Sequence, residues 1–327
     1  MMQIQFLTLE IAKVMLLLDE LQKKYNHLNA VSITQRDDLI VLEIHNAAGK
    51  AEILLLGAQL ISFSKHQETQ PIIWKSKETF YRETTPVRGG IPIIAPWFGD
   101  ASLNPQQVQG HIRNLDSAPA HGYVRSAQWT LDSIQEDSQN LTKVTLVLDK
   151  DQGDHSHWNA PVSLRVSYTI GEELSIELEV TNKSESETAL ALALHTYFAI
   201  SNVQNITIPS FDGVQYYDSL DNWQKKTWQG DVLIDREIDI VLQDVPDKQE
   251  IIDNDWQRKI LLETQGSAST VLWNPWIEKA KSLSMFGDKE YKDMLCIESA
   301  NVLDDIKTLA PGSAHTLKLK ISTSALV

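Results

Sequence analysis

Two long apolar runs of the sequence each carry one residue that can take part in proton transfer. Residues 189–198 contain His195, and residues 294–301 contain Glu298. Both runs are predicted to form strands that are buried or nearly so, and a buried charge without a partner is costly. Each residue therefore needs a partner, an altered pKa or a chemical role. A histidine and a carboxylate transfer protons in complementary directions near neutral pH, so the pair predicts general acid–base chemistry.

Both residues also have a structural explanation. His195 can be a core histidine that is hydrogen-bonded to a backbone carbonyl. Glu298 can be paired with a cation or exposed at a strand end, because an ionised carboxylate buried alone is strongly destabilising. The carboxylate is the harder of the two to explain as a core residue, so it carries more of the functional prediction.

A segment dense in glycine and proline, residues 88–99, begins with Arg88. Two adjacent glycines let the backbone pass close to a ligand or a neighbouring strand, and two prolines stiffen its path. The Arg88 guanidinium can donate to hydroxyls, a carboxylate or a phosphate. A tight bend between strand and loop with a surface salt bridge explains this segment equally well.

A second candidate binding segment contains His121, Gly122 and Arg125. Gly122 permits a backbone conformation that other residues avoid. His121 and Arg125 are close enough in sequence to face one pocket. Together with the Arg88 segment, these residues indicate a binding site.

Two further patterns have simpler explanations. Asp154, His155 and His157 have the spacing of metal ligands, but no further ligands are apparent and the segment is polar, which favours a solvated turn. Tryptophans near glycine or proline can stack on sugar rings, although a place in the aromatic core is the default. Three tryptophans fit this description: Trp97, Trp273 and Trp276.

The composition of the 327-residue chain is that of a soluble globular protein, with 42% hydrophobic and 22% charged residues. The formal net charge of −15 argues against nucleic acid or an anionic membrane as the main partner, because both need basic surface. It leaves room for a small anionic ligand, since a few arginines can form a positive pocket in an acidic protein.

The single cysteine and the apolar segments indicate a cytoplasmic protein. Cys296 cannot form an internal disulfide, which fits a reducing compartment. Its neighbours Leu295 and Ile297 favour a packed thiol over a nucleophile. No apolar stretch approaches the roughly 20 residues of a membrane span.

The N-terminal residues predict an amphipathic helix and not a signal peptide, because acidic residues directly follow the apolar stretch. The apolar residues at helical spacing are Ile11, Val14, Met15, Leu18 and Leu21. Met15 is as reasonable a natural start as Met1. Residues 1–30 are predicted to be a helical extension, and residues 31–327 a single domain.

After this extension the hydrophobic pattern has the period of two that is typical of strands. Residues 163–170 and 174–180 alternate apolar and polar side chains and are joined by residues 171–173, which predicts a hairpin with one solvated face. Residues 53–56 and 190–194 are more continuously apolar and suit central strands. Without linkers or repeats, the sequence predicts an all-β fold, one large antiparallel β-sandwich whose long loops carry the site.

Five motifs, taken together and in this order, resemble the aldose 1-epimerase superfamily, and most of all its glucose-6-phosphate 1-epimerase branch. The resemblance covers the chain from about residue 31 onward and leaves the N-terminal helix outside. The motifs are Arg88-Gly-Gly-Ile-Pro with Pro96-Trp-Phe-Gly99, His121-Gly-Tyr-Val-Arg125, Leu194-His-Thr-Tyr-Phe198, Trp273-Asn-Pro-Trp276 and Cys296-Ile-Glu-Ser-Ala-Asn301.

The resemblance implies a galactose mutarotase-like supersandwich of antiparallel sheets with the site in a cleft on one face. By motif position it matches His195 to the family's general acid and Glu298 to its general base. It matches Arg88, His121 and Arg125 to substrate-binding positions.

The resemblance also implies a substrate-binding aspartate upstream of the glutamate. Asp239 fits this position, although the arginine and tyrosine that flank the family's aspartate are missing. Some family members have glutamine just before the His-Gly pair, where this chain has Ala120. That difference removes one possible hydrogen bond to the sugar.

The implied activity is the interconversion of the α and β anomers of a hexose 6-phosphate, with glucose 6-phosphate as the first candidate. Ring opening and closure by acid and base need no metal and no organic cofactor. The guanidinium groups of Arg88 and Arg125 suit a phosphate dianion. The reaction starts from protonated His195 and ionised Glu298, and a carboxylate-rich pocket is expected to favour the imidazolium. A monomer is expected.

Three other functions stay open at this point. The chain could be a mutarotase of free aldoses, or a carbohydrate-binding sandwich without catalytic activity. It could also be a glycoside hydrolase that uses Glu298 and Asp239 as its two carboxylates. Anomer exchange, its dependence on Glu298 and hydrolysis of an aryl glycoside distinguish these functions.

Overall fold

The computed structural model describes residues 2–85, 87–137, 141–149 and 156–326, with side chains from residue 13 onward. Antiparallel strands are the main regular elements, and they are numbered below in chain order. The α-helices are α1 (Met2–Tyr25), α2 (Gln106–Gln109) and α3 (Trp276–Ser282). Among the described residues, no helix combines the length and apolar character that crossing a membrane requires.

The predicted N-terminal helix is confirmed and extends beyond the predicted apolar residues at both ends. Leu21 and Tyr25 are buried in the core on one face of α1, whereas Met15 is exposed. The Tyr25 hydroxyl donates to the backbone carbonyl of Asp132 at 3.3 Å. The last turns of the helix are therefore packed on the sheets, as its amphipathic pattern predicts.

One antiparallel sheet of eight strands, called the site sheet here, carries most of the predicted site residues. Its order is β15-β14-β16-β19-β20-β11-β5, and β12 pairs with β20 beside β11. Its strands are β5 (Ile93–Ile94), β11 (Leu192–Leu194), β12 (Tyr197–Ala199), β14 (Gln215–Asp218), β15 (Gln224–Thr227), β16 (Ile238–Gln243), β19 (Ser269–Asn274) and β20 (Met294–Asn301).

A second antiparallel sheet of eight strands, called the back sheet here, has the order β13-β17-β18-β22-β9-β8-β7-β6. Its strands are β6 (Thr130–Glu136), β7 (Thr142–Leu148), β8 (Val162–Ile170), β9 (Leu174–Asn182), β13 (Ile206–Thr207), β17 (Lys248–Asp253), β18 (Arg258–Gln265) and β22 (Ala314–Ala325). The predicted hairpin is confirmed, because β8 and β9 pair up to Ile170 and Leu174 at its turn.

Two smaller sheets complete the fold. A four-stranded sheet has the order β1-β2-β3-β4, and a two-stranded sheet pairs β10 with β21. Their strands are β1 (Val31–Arg36), β2 (Leu39–His45), β3 (Gly49–Leu54), β4 (Leu60–Lys65), β10 (Thr188–Leu190) and β21 (Lys307–Leu309).

The two predicted central strands are interior strands, but the second is divided. β3 lies between β2 and β4, and β11 lies between β20 and β5. The apolar run at 190–194 changes sheets at Ala191, whose N–H donates to the Pro96 carbonyl at 2.8 Å. Continuous apolar character thus predicted burial correctly but could not show the switch between sheets.

The site sheet and the back sheet enclose one hydrophobic core. Ile240, Leu272 and Ile297 lie on one cross-strand row of the site sheet and are at most 3% exposed. They belong to the same buried cluster as Leu262 and Leu319 of the back sheet. The all-β antiparallel sandwich is therefore confirmed, and the opposite face of the site sheet is left to build the site.

Candidate active site

A cavity of about 430 Å³ lies over the outer face of the site sheet. Five of the six predicted site residues line this cavity, namely Arg88, His121, His195, Asp239 and Glu298. Arg125 is not part of the lining. The structure thus brings together residues from the loops before β5 and after α2 with residues from β16, from β20 and from the junction between β11 and β12.

Strand register explains why Glu298 faces the cavity. Paired residues on neighbouring antiparallel strands point to the same face, and successive residues alternate between faces. Glu298 therefore points away from the core that Ile297 enters. One row of the outer face consists of Val241, Val271 and Glu298, and the adjacent row consists of Asp239, Trp273, Cys296 and Tyr197.

Small apolar residues around Glu298 leave space above the sheet. A separate buried cluster on this face includes Ala193, Val241, Val271 and Ala300. Side chains of this size cannot fill the volume that longer ones would occupy. Val241 and Val271 consequently line the cavity together with the carboxylate.

His195 reaches Glu298 because two short strands pair with the two halves of β20. β11 pairs with its C-terminal half and β12 with its N-terminal half, so His195 lies at the junction beside Glu298. The backbone N–H of His195 donates to the Pro92 carbonyl at 3.0 Å. Its Nε2 lies 3.3 Å from Glu298 Oε1, and the side chains are 12% and 1% exposed. The two ionisable groups of the apolar runs are therefore one buried pair.

Burial shifts the two pKa values of this pair toward the neutral forms. Desolvation, and then the charge of Asp239, raises the pKa of Glu298 well above its ordinary value. Desolvation, followed by His121, Arg125 and Arg88, lowers the pKa of His195 well below its ordinary value. The expectation that a carboxylate-rich pocket favours the imidazolium is therefore wrong for this structure, because burial and cationic neighbours dominate.

His121 is fixed as a neutral hydrogen-bond donor. The backbone N–H of His121 donates to the Gly99 carbonyl at 2.8 Å, and its ring Nδ1 accepts from the Gly99 N–H at 3.2 Å. Nε2 therefore carries the ring hydrogen. Desolvation, Arg125 and Arg88 lower the pKa of His121 to about 3, so the ring stays neutral. The cavity wall thus gains an N–H donor of defined direction.

Gly122 allows the close approach that places His121. Its φ is +71°, and a Cβ at this position would lie 1.8 Å from the Ala95 carbonyl oxygen. No other residue fits that space. The glycine after the histidine therefore has the conformational role that the sequence predicted.

The two arginines occupy different layers of the site. Arg88 lines the cavity, and its Nε is buried without a hydrogen-bond partner among the described residues. Arg125 is half-buried and does not line the cavity. Desolvation lowers the pKa of its guanidinium. After desolvation, the positive charges of the two arginines further lower the pKa of His195 and of His121. They create a positive region within an acidic protein.

Asp239 lies in the cavity wall on β16, as the family resemblance implied. Its backbone carbonyl accepts from the Ser219 hydroxyl at 2.8 Å. Desolvation raises the pKa of its side chain, while Ser219 and the charge of Lys279 oppose that rise. The structure supports a place in the site for Asp239, and its role in binding stays a prediction.

Of the three tryptophans predicted as sugar-stacking candidates, Trp273 alone lines the cavity. Trp97 is fully buried and stacks on Trp158, with 5.9 Å between ring centroids. Trp276 packs against Tyr291. Trp97 is therefore a core residue, which was the default expectation, and Trp276 is partly buried against the core.

Sequence reasoning missed Tyr197, Trp223 and Lys279, which also line the cavity. Tyr197 follows His195 by two residues in the motif, and period-two alternation could have placed both on one face. Trp223 belongs to a turn with a φ of +58°. Lys279 lies on α3. Nothing in the local pattern of these last two residues pointed to the site.

The remaining candidates have separate outcomes. Cys296 is fully buried, and desolvation raises the pKa of its thiol well above the ordinary value, which agrees with a packed thiol. Asp154 and His155 lie outside the described residues. His157 is described, and its backbone carbonyl accepts from the Arg113 N–H at 2.8 Å.

Comparison with known proteins identifies relatives over most of the chain. The family model described as aldose 1-epimerase matches residues 40–322. A protein of Cenchrus ciliaris named "Putative glucose-6-phosphate 1-epimerase" is 30% identical over 281 residues, 83% of this chain and 80% of its own length. A protein of Escherichia coli with the same name is 27% identical over 280 residues, 85% of this chain and 89% of its own.

Solved structures with the same fold include sugar epimerases. A structure described as a "putative mutarotase (YeaD)" from Salmonella typhimurium matches with a TM-score of 0.81 at 24% identity, over 91% of this chain and 95% of that chain. Galactose 1-epimerase from Lactobacillus acidophilus matches with a TM-score of 0.69 at 15% identity, over 91% and 99% of the two chains. The galactose mutarotase-like fold implied by the motifs is thereby confirmed.

Proposed function

Because the chain belongs to the aldose 1-epimerase family, we propose that it interconverts the α and β anomers of a hexose 6-phosphate, with glucose 6-phosphate as the first candidate. The observation that carries this proposal is the buried pair of His195 and Glu298, 3.3 Å apart in the wall of one cavity. A binding domain without catalytic activity has no use for a carboxylate that is 1% exposed beside a histidine.

The pair has the two functions that anomer exchange needs. Glu298 as base takes the proton of the anomeric hydroxyl, while His195 as acid protonates the ring oxygen and the C1–O5 bond breaks. Rotation about C1–C2 presents the other face of the aldehyde, and the two groups then act in reverse to close the ring. A positioned acid or base typically contributes roughly 10²–10⁴-fold in rate. Holding both around one sugar adds an orientation effect.

Substrate charge can prepare the pair for the reaction. Ring opening starts from ionised Glu298 and protonated His195, whereas burial favours the neutral form of each group. A phosphate dianion that lies nearer to His195 than to Glu298 would raise the pKa of the imidazole more than that of the carboxyl, because an opposite charge nearby stabilises the imidazolium. The proton of the pair then moves from the carboxyl to the imidazole. A phosphorylated sugar is therefore better suited to this site than a neutral one.

The surrounding residues suit a polyhydroxylated ligand with one anionic group. Nε2 of His121 donates, and the Asp239 carboxylate accepts, which fits sugar hydroxyls. Arg88, with Arg125 behind it, supplies the charge for the phosphate. The names of the Cenchrus ciliaris and Escherichia coli relatives support glucose 6-phosphate over a free aldose.

The remaining parts of the proposal concern the context of the enzyme. We expect a monomer that acts in the cytoplasm, with a small sugar phosphate as its partner and without nucleic acid or membrane. The formal net charge of −15 and the single cysteine support this view. We further expect residues 31–327 to act as one catalytic domain, with residues 1–30 as its helical extension.

Exchange spectroscopy by NMR on glucose 6-phosphate tests the proposal directly. It compares the wild type with His195→Asn and Glu298→Gln, and with His27→Asn and Glu185→Gln as exposed controls of the same chemistry. Each site variant should lose about 10²–10⁴-fold in catalysed exchange, and each control should match the wild type. Unchanged exchange in both site variants would contradict the mechanism. Hydrolysis of an aryl glycoside without anomer exchange would favour the hydrolase.

A further inference from the structure

Cys296 is the one buried nucleophile of the described residues that faces the same side of the site sheet as the acid–base pair. It lies between Trp273 and Tyr197 in one cross-strand row and precedes Glu298 by two residues on β20. Residues two apart on a strand share a face. Anomer exchange by the carboxylate and the imidazole leaves this thiol without a chemical role.

The thiol, the imidazole and the carboxylate form a compact cluster. A sulfur, a nitrogen and an oxygen atom from Cys296, His195 and Glu298 all lie within 4.8 Å of one another. Ligands of tetrahedral zinc are about 2.0–2.3 Å from the metal, which places neighbouring ligand atoms about 3.5 Å apart. His195 Nε2 and Glu298 Oε1 are already 3.3 Å apart. Separations in the cluster of up to 4.8 Å therefore have to shorten by about 1 Å for tetrahedral coordination.

An unused polar atom in the cluster points to a ligand. Glu298 Oε2 is buried and has no hydrogen-bond partner among the described residues. A carboxylate that is 1% exposed and half unsatisfied gains strongly from a bound cation. Thiolate, imidazole and carboxylate together select a cation of the zinc class, whereas Mg²⁺ prefers oxygen ligands and keeps its water.

We propose that His195, Cys296 and Glu298 form an inhibitory site for a soft divalent cation such as Zn²⁺. The hydrated cation exchanges water for the three donors, and a metal–sulfur bond forms as the thiol proton leaves to solvent. The carboxyl proton leaves in the same way. Two anionic ligands and a neutral imidazole then neutralise the charge of the cation. Its fourth position faces the cavity, which is the open position of a three-ligand site.

Charges around the cluster have opposing effects. Arg88 repels a cation, whereas Asp239 attracts it, and both act on Cys296. Neutralisation by the ligands themselves removes most of the repulsion. Binding engages both groups that anomer exchange requires, so the metal and the sugar exclude one another.

The test measures metal binding and inhibition separately on the full chain after removal of adventitious metal with a chelator. Co²⁺ serves as a spectroscopic probe, because a Co²⁺–thiolate bond has a characteristic ultraviolet charge-transfer absorption. We expect this band in the wild type and not in Cys296→Ala. We expect Zn²⁺ to inhibit glucose 6-phosphate anomer exchange competitively and EDTA to restore it, with no effect of Mg²⁺.

Cys296→Ala should keep the exchange activity and bind Zn²⁺ at least about tenfold more weakly, because one of three ligands is lost. Matching melting temperatures establish that the variant is folded. If it does not fold, the Co²⁺ band of the wild type decides alone. Absence of that band, or equal Zn²⁺ inhibition of Cys296→Ala, would overturn the proposal. The absorption measurement needs no activity, so its outcome is independent of the proposed epimerase function.

Discussion

The imidazole of His195 lies flat on the ring of Tyr197, with 4.8 Å between the ring centroids and 7° between the planes. Tyr197 also interacts with Arg88 through its hydroxyl. One tyrosine therefore contacts both the proposed acid and an arginine of the proposed phosphate site. Because Tyr197 is buried, its ring supports one face of the imidazole.

Tyr197→Leu should lower kcat by about tenfold or more, because small displacements of a catalytic group are costly in rate. Tyr197→Phe keeps the ring contact and removes only the hydroxyl, so it should mainly raise KM for glucose 6-phosphate through Arg88. Anomer exchange rates over a range of substrate concentrations separate the two effects. Equal kcat losses in both variants would show that the stacking does not position His195.

The sequence predicted the members of the central pair better than their surroundings. Glu298 and His195 stood out because ionisable residues in apolar runs conflict with burial, and that conflict is visible in a single strand. The proximity of Cys296 to His195 depends on which strands pair and in which register. Pairing of β11 and β12 with the two halves of β20 is a tertiary property that period-two patterns do not encode.

The same limit applies to the pKa directions. An expected carboxylate-rich pocket suggested a protonated histidine, but the pKa of His195 depends on burial and on arginines that lie far away in sequence. Arg88 and Arg125 both reach His195 only in the folded chain. Lys279 and Trp223 were missed for the same reason, since each enters the cavity from a helix or a turn without a distinctive motif.

Glu298→Gln should stabilise the protein at neutral pH while it removes activity. Burial raises the pKa of Glu298, so the folded state holds its proton more tightly than the unfolded state does. The wild type therefore loses stability as pH rises from the ordinary pKa of glutamate through the raised pKa. A neutral amide avoids this loss.

The melting temperature measured against pH checks this prediction. Each kcal/mol should shift it by about 2–4 °C or less in a chain of this size. Glu185→Gln, an exposed control, should give no shift. The advantage of Glu298→Gln should shrink toward pH 4.5, the ordinary pKa of the group. An advantage that is the same at every pH would mean that the charge of Glu298 is not its cause.

The pH dependence of kcat/KM should have a basic limb above the ordinary pKa of glutamate. The reactive pair carries one proton, which burial holds on Glu298 at a raised pKa, so activity falls as pH rises and the pair loses that proton. The inflection belongs to the coupled pair of His195 and Glu298. The ³¹P shift of the substrate measures the phosphate's own pKa over the same range. An inflection that coincides with the phosphate titration would assign the limb to the substrate.

Gly122→Ala should destabilise the fold strongly, and Gly213→Ala is its matched control. Both glycines have positive φ, +71° and +78°, so both variants incur the cost of a left-handed residue, about 1–2 kcal/mol. The space around Gly213 is open, whereas a Cβ on Gly122 meets the Ala95 carbonyl at 1.8 Å.

Urea unfolding should therefore show a loss for Gly122→Ala that exceeds the Gly213→Ala loss by about 2 kcal/mol or more, within the range of severe single substitutions. Activity should fall as well, because His121 precedes this glycine. Similar losses in the two variants would indicate that the backbone near Ala95 moves easily.

Arg88→Ala and Arg125→Ala test whether these arginines bind the phosphate. The relative size of their effects on KM tests whether the phosphate contacts the cavity wall or lies behind it. Loss of either guanidinium should raise KM for glucose 6-phosphate far more than for glucose, because Arg88 would lose charge-assisted hydrogen bonds to the phosphate and Arg125 its charge attraction from behind. Arg88 lines the cavity and Arg125 does not, so Arg88→Ala should have the larger effect.

Arg113→Ala, the control, removes an exposed positive charge and should leave both KM values unchanged. Progress curves of anomer exchange with the two sugars give six ratios of variant to wild-type KM. Equal effects on both sugars would contradict phosphate binding by these arginines, and a larger effect of Arg125→Ala would place the phosphate deeper than the cavity wall.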